Sequence, residues 1–219
     1  MLQFSNYKNY TECYKKNKIS LVYAIQKNSK ESKIENLIES ILAKKNSFVF
    51  ESVEKGINRG RYTIFGYDSD RLYEVKDNKI FLNKKKIIKK NTYSYLKELI
   101  KKFNYDLPKD LPPMALMLVG YFGYDTIRFV EKIPNEAKDD LNIPDIRLQR
   151  PSKIIIHDNL KKKLFFISCN YNEKKCSNLS YKKNIQDLKK IIEDSSKKIF
   201  SSYKKNELKK TLIKSNTTK

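Results

Sequence analysis

The residues of this chain whose types and spacing suggest chemistry are few, and most lie between Met114 and Arg147. The apolar run Ala115 to Val119 predicts a short buried strand. Gly120 and Gly123 follow it, at positions where the backbone must pass close to something or take up a conformation that a Cβ would forbid. Asp125 is placed to cap a helical turn over Thr126 to Val130, with Tyr124 and Phe129 as apolar anchors and Pro134 as the stop. Asp139-Asp140-Leu141 then leads into an extended return at Pro144-Asp145. This is a glycine-hinged corner, and by residue type alone it suits tight packing at least as well as binding. Other candidates are weaker. His157 has no nucleophile or acid placed beside it by sequence and reads as an edge histidine at the end of a strand. Glu51 and Glu54 are too close together on one strand-to-turn segment to form a metal site without partners. No residue is assigned a catalytic role.

The order of residues in that block resembles the G-Y-x-G-Y-D-x-x-R … E-x-x-P … D-D-L-x-x-P-D pattern in the N-terminal domain of anthranilate synthase component I. Here it is carried by Gly120-Tyr121-Phe122-Gly123-Tyr124-Asp125, Arg128, Glu131, Pro134, Asp139-Asp140-Leu141 and Pro144-Asp145. A second block extends it: Phe50-Glu51-Ser52-Val53-Glu54 and Gly60-Arg61-Tyr62-Thr63-Ile64-Phe65-Gly66 are similar to the family's L-E-S-V-E … G-R-Y-S-F-x-G element. Arg150-Pro151 and the run from Lys153 to Asp158 resemble the strand that comes next. The likeness extends from about Leu21 to Ser168.

The resemblance implies a tryptophan feedback site that includes Ser52, whose hydroxyl can bond an amino-acid ligand without the cost of burying a charge. Arg61 falls near a basic position of the same pocket. It also implies that the catalytic groups and Mg²⁺ belong to a chorismate-binding catalytic domain beginning near the end of this chain, and that a glutamine amidotransferase subunit (component II) supplies ammonia. The whole protein would convert chorismate and ammonia to anthranilate and pyruvate in tryptophan biosynthesis, and this segment alone would be inactive. In one place the chain departs from the family. Where relatives carry an acidic-x-x-Thr-Pro element, it reads Asn28-Ser29-Lys30-Glu31-Ser32, which predicts altered feedback sensitivity. Component I of aminodeoxychorismate synthase, in the folate pathway, is the nearest rival.

The elements that must position these residues are legible as patterns. Helices are predicted over 33–44, 93–103 and 181–197 from the spacing of their apolar residues. Strands are predicted at Phe48 to Phe50, Arg61 to Phe65, Leu72 to Val75 and Ile80 to Leu82, with Asp68-Ser69-Asp70 and Asp77-Asn78 as turns. Ile154 to Ile156 and Leu164 to Ile167 should form a hairpin with one buried face. Lys84 to Lys86 and Lys89-Lys90 suit a solvated sheet edge. The fold class expected is α+β, an antiparallel, sandwich-like sheet with flanking helices. Residues 1–200 would form the regulatory and scaffold domain and 201–219 a basic linker.

Composition excludes some functions. No apolar run is long enough to span a membrane as a helix. The N-terminus has no secretory h-region. Three cysteines, Cys13, Cys169 and Cys176, without zinc-ligand spacing suit a reducing cytoplasm. The net charge of +22 invites a rival of another class, a basic nucleic-acid-binding module. Against it, arginine stands only at 59, 61, 71, 128, 147 and 150, and lysine supplies the excess without grouping on one face. Diffuse attraction to polyanions at low salt is expected of such a chain whatever its function. A free-standing tryptophan-binding module is a further alternative.

Overall fold

The computed structural model describes residues 2–27, 32–51, 60–87, 91–134, 139, 141–172 and 175–196. Its centre is a nine-stranded antiparallel sheet: β1 (Leu2–Phe4), β2 (Ser20–Lys27), β3 (Phe48–Glu51), β4 (Tyr62–Lys76), β5 (Lys79–Leu82), β6 (Lys85–Ile87), β7 (Val119–Phe122), β8 (Ile146–Asp158) and β9 (Lys163–Asn170). Among the described residues four helices accompany it: α1 (Tyr7–Asn17), α2 (Ser32–Leu42), α3 (Thr92–Lys102) and α4 (Asn178–Ser196). The strands follow the order β1-β2-β9-β8-β4-β5-β6, and β3 and β7 add to β4 and β8 respectively. The class is mixed α and β with a large antiparallel sheet, as expected.

Two long strands form the spine. β4 and β8 pair from Tyr62↔Asp158 to Val75↔Ile146, so the two short strands expected at 61–65 and 72–75 are one continuous element. Asp68-Ser69-Asp70 is therefore a bulge within the ladder and not a turn. Ser69 faces Pro151 and Arg71 faces Arg150, which leaves Asp70 as the extra residue. An acidic, short-chain triplet reads locally as a turn, but Asp70 receives both Nε (2.7 Å) and Nη2 of Arg150, a partner eighty residues away. Arg150 is buried and lies 4.0 Å from the centre of the Tyr171 ring. The turn at Asp77-Asn78 is present. Both residues have positive φ (48° and 59°), the backbone of a tight hairpin turn.

The hairpin β8–β9 corrects a second expectation, because both of its faces are buried. Ile155, Leu164 and Phe166 pack with Tyr10 of α1, Leu37 and Ile41 of α2 and Leu188 of α4. Ile154, Ile156, Phe165 and Ile167 pack on the other side with Cys13, Leu111, Ala115 and Leu116. Each such side chain contributes about 1.5–3 kcal/mol when fully buried. His157 lies between Thr63 of β4 and Leu164 of β9, in an interior strand and almost wholly buried, so it is not an edge residue. A third cluster joins Tyr73, Val75, Ile80, Ile146 and Leu148 to Leu96 of α3.

Helix ends follow local chemistry. Asn6 caps α1 through Oδ1 to Asn9 N (2.8 Å), and Asn91 caps α3 through Oδ1 to Ser94 N (2.9 Å). α1, β1 and β2 were not anticipated, since the polar, tyrosine-rich N-terminus shows little periodicity. β6 ends the sheet with Lys85 and Lys86 exposed, as the lysine run suggested. Lys89-Lys90 and the expected linker at 201–219 lie outside the described residues.

Candidate functional site

Two regions carry the residues singled out by sequence. At the first, β3 pairs with β4 from Phe48↔Gly66 to Glu51↔Thr63, which brings Glu51 beside the start of β4. Ser52 is the next residue and lies outside the described residues. Arg61 stands immediately before β4. Its Nε and Nη2 donate to Oδ1 (3.3 Å) and Oδ2 (3.0 Å) of Asp158, and its guanidinium lies 4.7 Å from the centre of the Tyr62 ring. Asp158 also accepts the backbone N–H groups of Leu160 (3.1 Å) and Lys161 (3.0 Å). Burial by itself would raise the Asp158 carboxyl. The Arg61 fork and these two amides outweigh it and hold the carboxyl below the usual carboxylate range. Arg61 is correspondingly raised by Asp158. Its first duty is thus to neutralise a buried carboxylate at the end of the β8–β9 hairpin. The side chain is 36% exposed, and among the described residues its hydrogen bonds run through Nε and Nη2 alone.

The second region is the glycine-rich corner. The strand expected at 115–119 lies further along the chain. Pro113–Ala115 is a short 3₁₀ turn, and β7 spans Val119–Phe122, pairing with β8 through Gly120↔Leu148. A Cβ on Gly120 would lie 1.8 Å from the carbonyl oxygen of Arg147, and one on Gly123 would lie 3.0 Å from that of Asp145. What approaches both glycines is the backbone of the neighbouring chain segment. The Gly123 N–H donates to Asp145 O at 2.7 Å.

Tyr124–Phe129 is a 3₁₀ helix, and here two further expectations are corrected. Asp125 makes no cap. It accepts Arg128 Nε (2.8 Å), while Thr126 Oγ1 donates to Gly123 O (2.7 Å). Tyr124 anchors nothing, being 91% exposed, whereas Phe129 packs on the third cluster as expected. Arg128 Nη1 donates to the carbonyls of Ile133 (2.8 Å) and Pro134 (2.6 Å), tying the corner to itself.

A cavity of about 790 Å³ opens beside this corner, walled by Tyr121, Arg128, Phe129, Leu141 and the carboxylates of Asp77 and Asp145 among others. Burial raises the Asp145 carboxyl. Lys76 bonds Asp139 and donates to Ile143 O (3.1 Å), and the Asp77 N–H donates to Asp145 Oδ2 (3.1 Å). The wall is acidic, yet among the described residues no three His, Cys, Asp or Glu side chains group so as to hold a metal ion. Sequence reasoning missed the buried Arg150–Asp70–Tyr171 cluster. An arginine inside a strand-like apolar run was its only local signal.

Comparison with known proteins identifies the class. Residues 45–216 match the family model for a chorismate binding enzyme, and the chain belongs to that family. Within it, the chain is homologous to anthranilate synthase component I. It is 28% identical over 165 residues to component 1 from Cereibacter sphaeroides, an alignment covering 72% of this chain and 33% of that protein. It is 32% identical over 124 residues to the Thermus thermophilus protein, covering 56% of this chain and 26% of the relative. The crystal structure of anthranilate synthase component I from Streptococcus pneumoniae shares the fold, with a TM-score of 0.51 at 20% identity over 66% of this chain and 31% of that one. The chain spans about a third or less of the length of these relatives.

Proposed function

We propose that this chain is the N-terminal, tryptophan-sensing and scaffolding part of an anthranilate synthase component I. The longer protein would convert chorismate and ammonia to anthranilate and pyruvate in the cytoplasm, with ammonia from a glutamine amidotransferase subunit. Mg²⁺ and the catalytic groups would be held by a chorismate-binding domain outside this chain. The observation that carries the reading is the alignment with component I relatives at 28–33% identity over about a quarter to a third of their length. The free thiols of Cys13 and Cys169 fit a reducing compartment. That the relatives reported above are all anthranilate synthases favours this product over aminodeoxychorismate.

Ser52 and Arg61 would belong to the effector pocket, Ser52 as a hydroxyl partner and Arg61 through the donors that Asp158 leaves unused. An effector shifts an equilibrium only by its preference for one state, so filling the pocket should remove inhibition without touching distant catalytic groups. In the chain joined to a chorismate-binding catalytic domain, Ser52→Phe is expected to raise the inhibitory tryptophan concentration about 30- to 150-fold, equivalent to roughly 2–3 kcal/mol, with uninhibited turnover nearly intact. Equal inhibition of parent and variant would remove Ser52 from the site.

A second reading is favoured by one observation. The family match runs through residues 45–216 and so overlaps the segment assigned here to regulation. On that reading the chain itself handles chorismate. Incubating it with chorismate, Mg²⁺ and ammonium decides between the two. No anthranilate fluorescence is expected, and turnover above a buffer control would favour the second reading. The chain has no tryptophan residue, so neither tryptophan binding nor product formation is masked by indole emission from the protein.

A further inference from the structure

Away from both regions, a cleft of about 390 Å³ lies where the β4 bulge, β8, the end of β9 and α4 meet. Its size falls within the usual range for small-molecule sites. Lys153 of β8 projects its ammonium into the protein, and its one hydrogen bond among the described residues goes to a neutral group, Ser168 Oγ, at 2.6 Å. On α4, Asn184 also lines the cleft, and its Nδ2 is buried with no hydrogen-bond partner among the described residues. A largely desolvated ammonium whose one hydrogen bond among the described residues goes to a hydroxyl, and a buried amide donor with no partner among them, are both costly arrangements. Together they mark hydrogen-bond donors with capacity for a further acceptor, in a cleft that Asp68 and Asp187 also line.

The rest of the wall limits what that acceptor can be. Asp70 is committed to Arg150, whereas Asp68 and Asp187 also line the cleft, as does Lys183. Among the described residues Asp187 has no ion-pair partner, and the Asp68 carboxylate accepts one long hydrogen bond, from Ser152 Oγ (3.4 Å). The wall thus offers two carboxylates and two ammonium groups. A phosphate would gain from Lys153 but face both carboxylates, whereas a small zwitterion satisfies both signs at once. We propose that this cleft binds a free α-amino acid, its carboxylate taken by Lys153 and Asn184 and its ammonium by Asp187 and Asp68. The cleft's lining does not include Arg61 or Asp158. Burial holds Lys153 below the ordinary lysine range, against the pull of Asp68 and Asp187, and a bound carboxylate would reverse that displacement.

The test uses the whole chain and a panel of the twenty free L-amino acids, followed by the side-chain amide resonance of Asn184. At least one amino acid is expected to shift that resonance saturably. Its N-acetyl and carboxamide derivatives should bind at least ten-fold more weakly, as should the parent ligand to Lys153→Met, while Ser52→Phe leaves binding unchanged. Failure of all twenty to move the resonance would overturn the proposal, and so would inorganic phosphate binding more tightly than any amino acid. Loss of binding in Ser52→Phe would assign the ligand to the other region and equally overturn it. If Lys153→Met proves unfolded by circular dichroism, the derivative series on the unaltered chain decides alone.

Discussion

The β8–β9 hairpin and the corner from Val119 to Asp145 meet along one strand, since β7 and β9 both pair with β8, yet they are built on opposite principles. The hairpin is covered on both faces, with Phe166 and Ile156 fully buried. The corner leaves Phe122, Tyr124, Val130 and Leu141 in solvent and is held by backbone hydrogen bonds and the short-range pairing of Arg128. The hairpin reads in sequence as two plain apolar runs and supplies cohesion. The corner carries the distinctive motif and supplies little burial. The distinctive residues there are therefore not explained by a contribution to the hydrophobic core.

The largest effect expected on that contrast is Phe166→Ala, which should cost about 3–5 kcal/mol in urea unfolding because a fully buried ring leaves a cavity between α2, α4 and the sheet. Tyr124→Ala should stay within about 0.5 kcal/mol. Comparable losses from the two would dissolve the distinction.

Gly120→Ala sharpens it. The new methyl would meet the Arg147 carbonyl, part of a strand that cannot yield, so a loss of about 1–3 kcal/mol is expected. Amide exchange should quicken in β7 before it does in β9. If protection falls equally in both strands, the corner is not an independent unit.

The smallest effect belongs to Arg61. Because the Asp158 carboxyl is held below its unfolded value, the stability it lends is present above about pH 3.9 and is lost as pH falls through the folded value. In Arg61→Met the desolvation of Asp158 is no longer offset by the fork, so stability should fall modestly at neutral pH, where the carboxylate is ionised, and the difference from the parent should close as pH falls through the folded value. Equal stability of parent and variant at neutral pH, or a difference that does not vary with pH, would show that the pair contributes nothing and that Arg61 serves another purpose.

How much of this could be read without coordinates differs by element. The spans 33–44, 93–103 and 181–197 were expected to be helices, and α2, α3 and α4 occupy them within a few residues, because an apolar stripe at helical spacing is a local property. The Asp77-Asn78 turn was legible for the same reason. The Asp68-Ser69-Asp70 bulge was not, because what makes it a bulge is Arg150 on a distant strand. His157 was taken for an edge residue since nothing local says that β4 and β9 flank it.

Sequence by itself determined the class of fold, the family and the requirement for small residues at Gly120 and Gly123, all of which depend on residue type and order along the chain. Only the tertiary structure decided what approaches those glycines, that Arg61 is engaged by Asp158, and that Lys153 and Asn184 share one cleft. The reason is physical. Strand pairing and ion pairing join residues tens of positions apart, and whether a polar group finds a partner depends on which distant segment the fold lays against it.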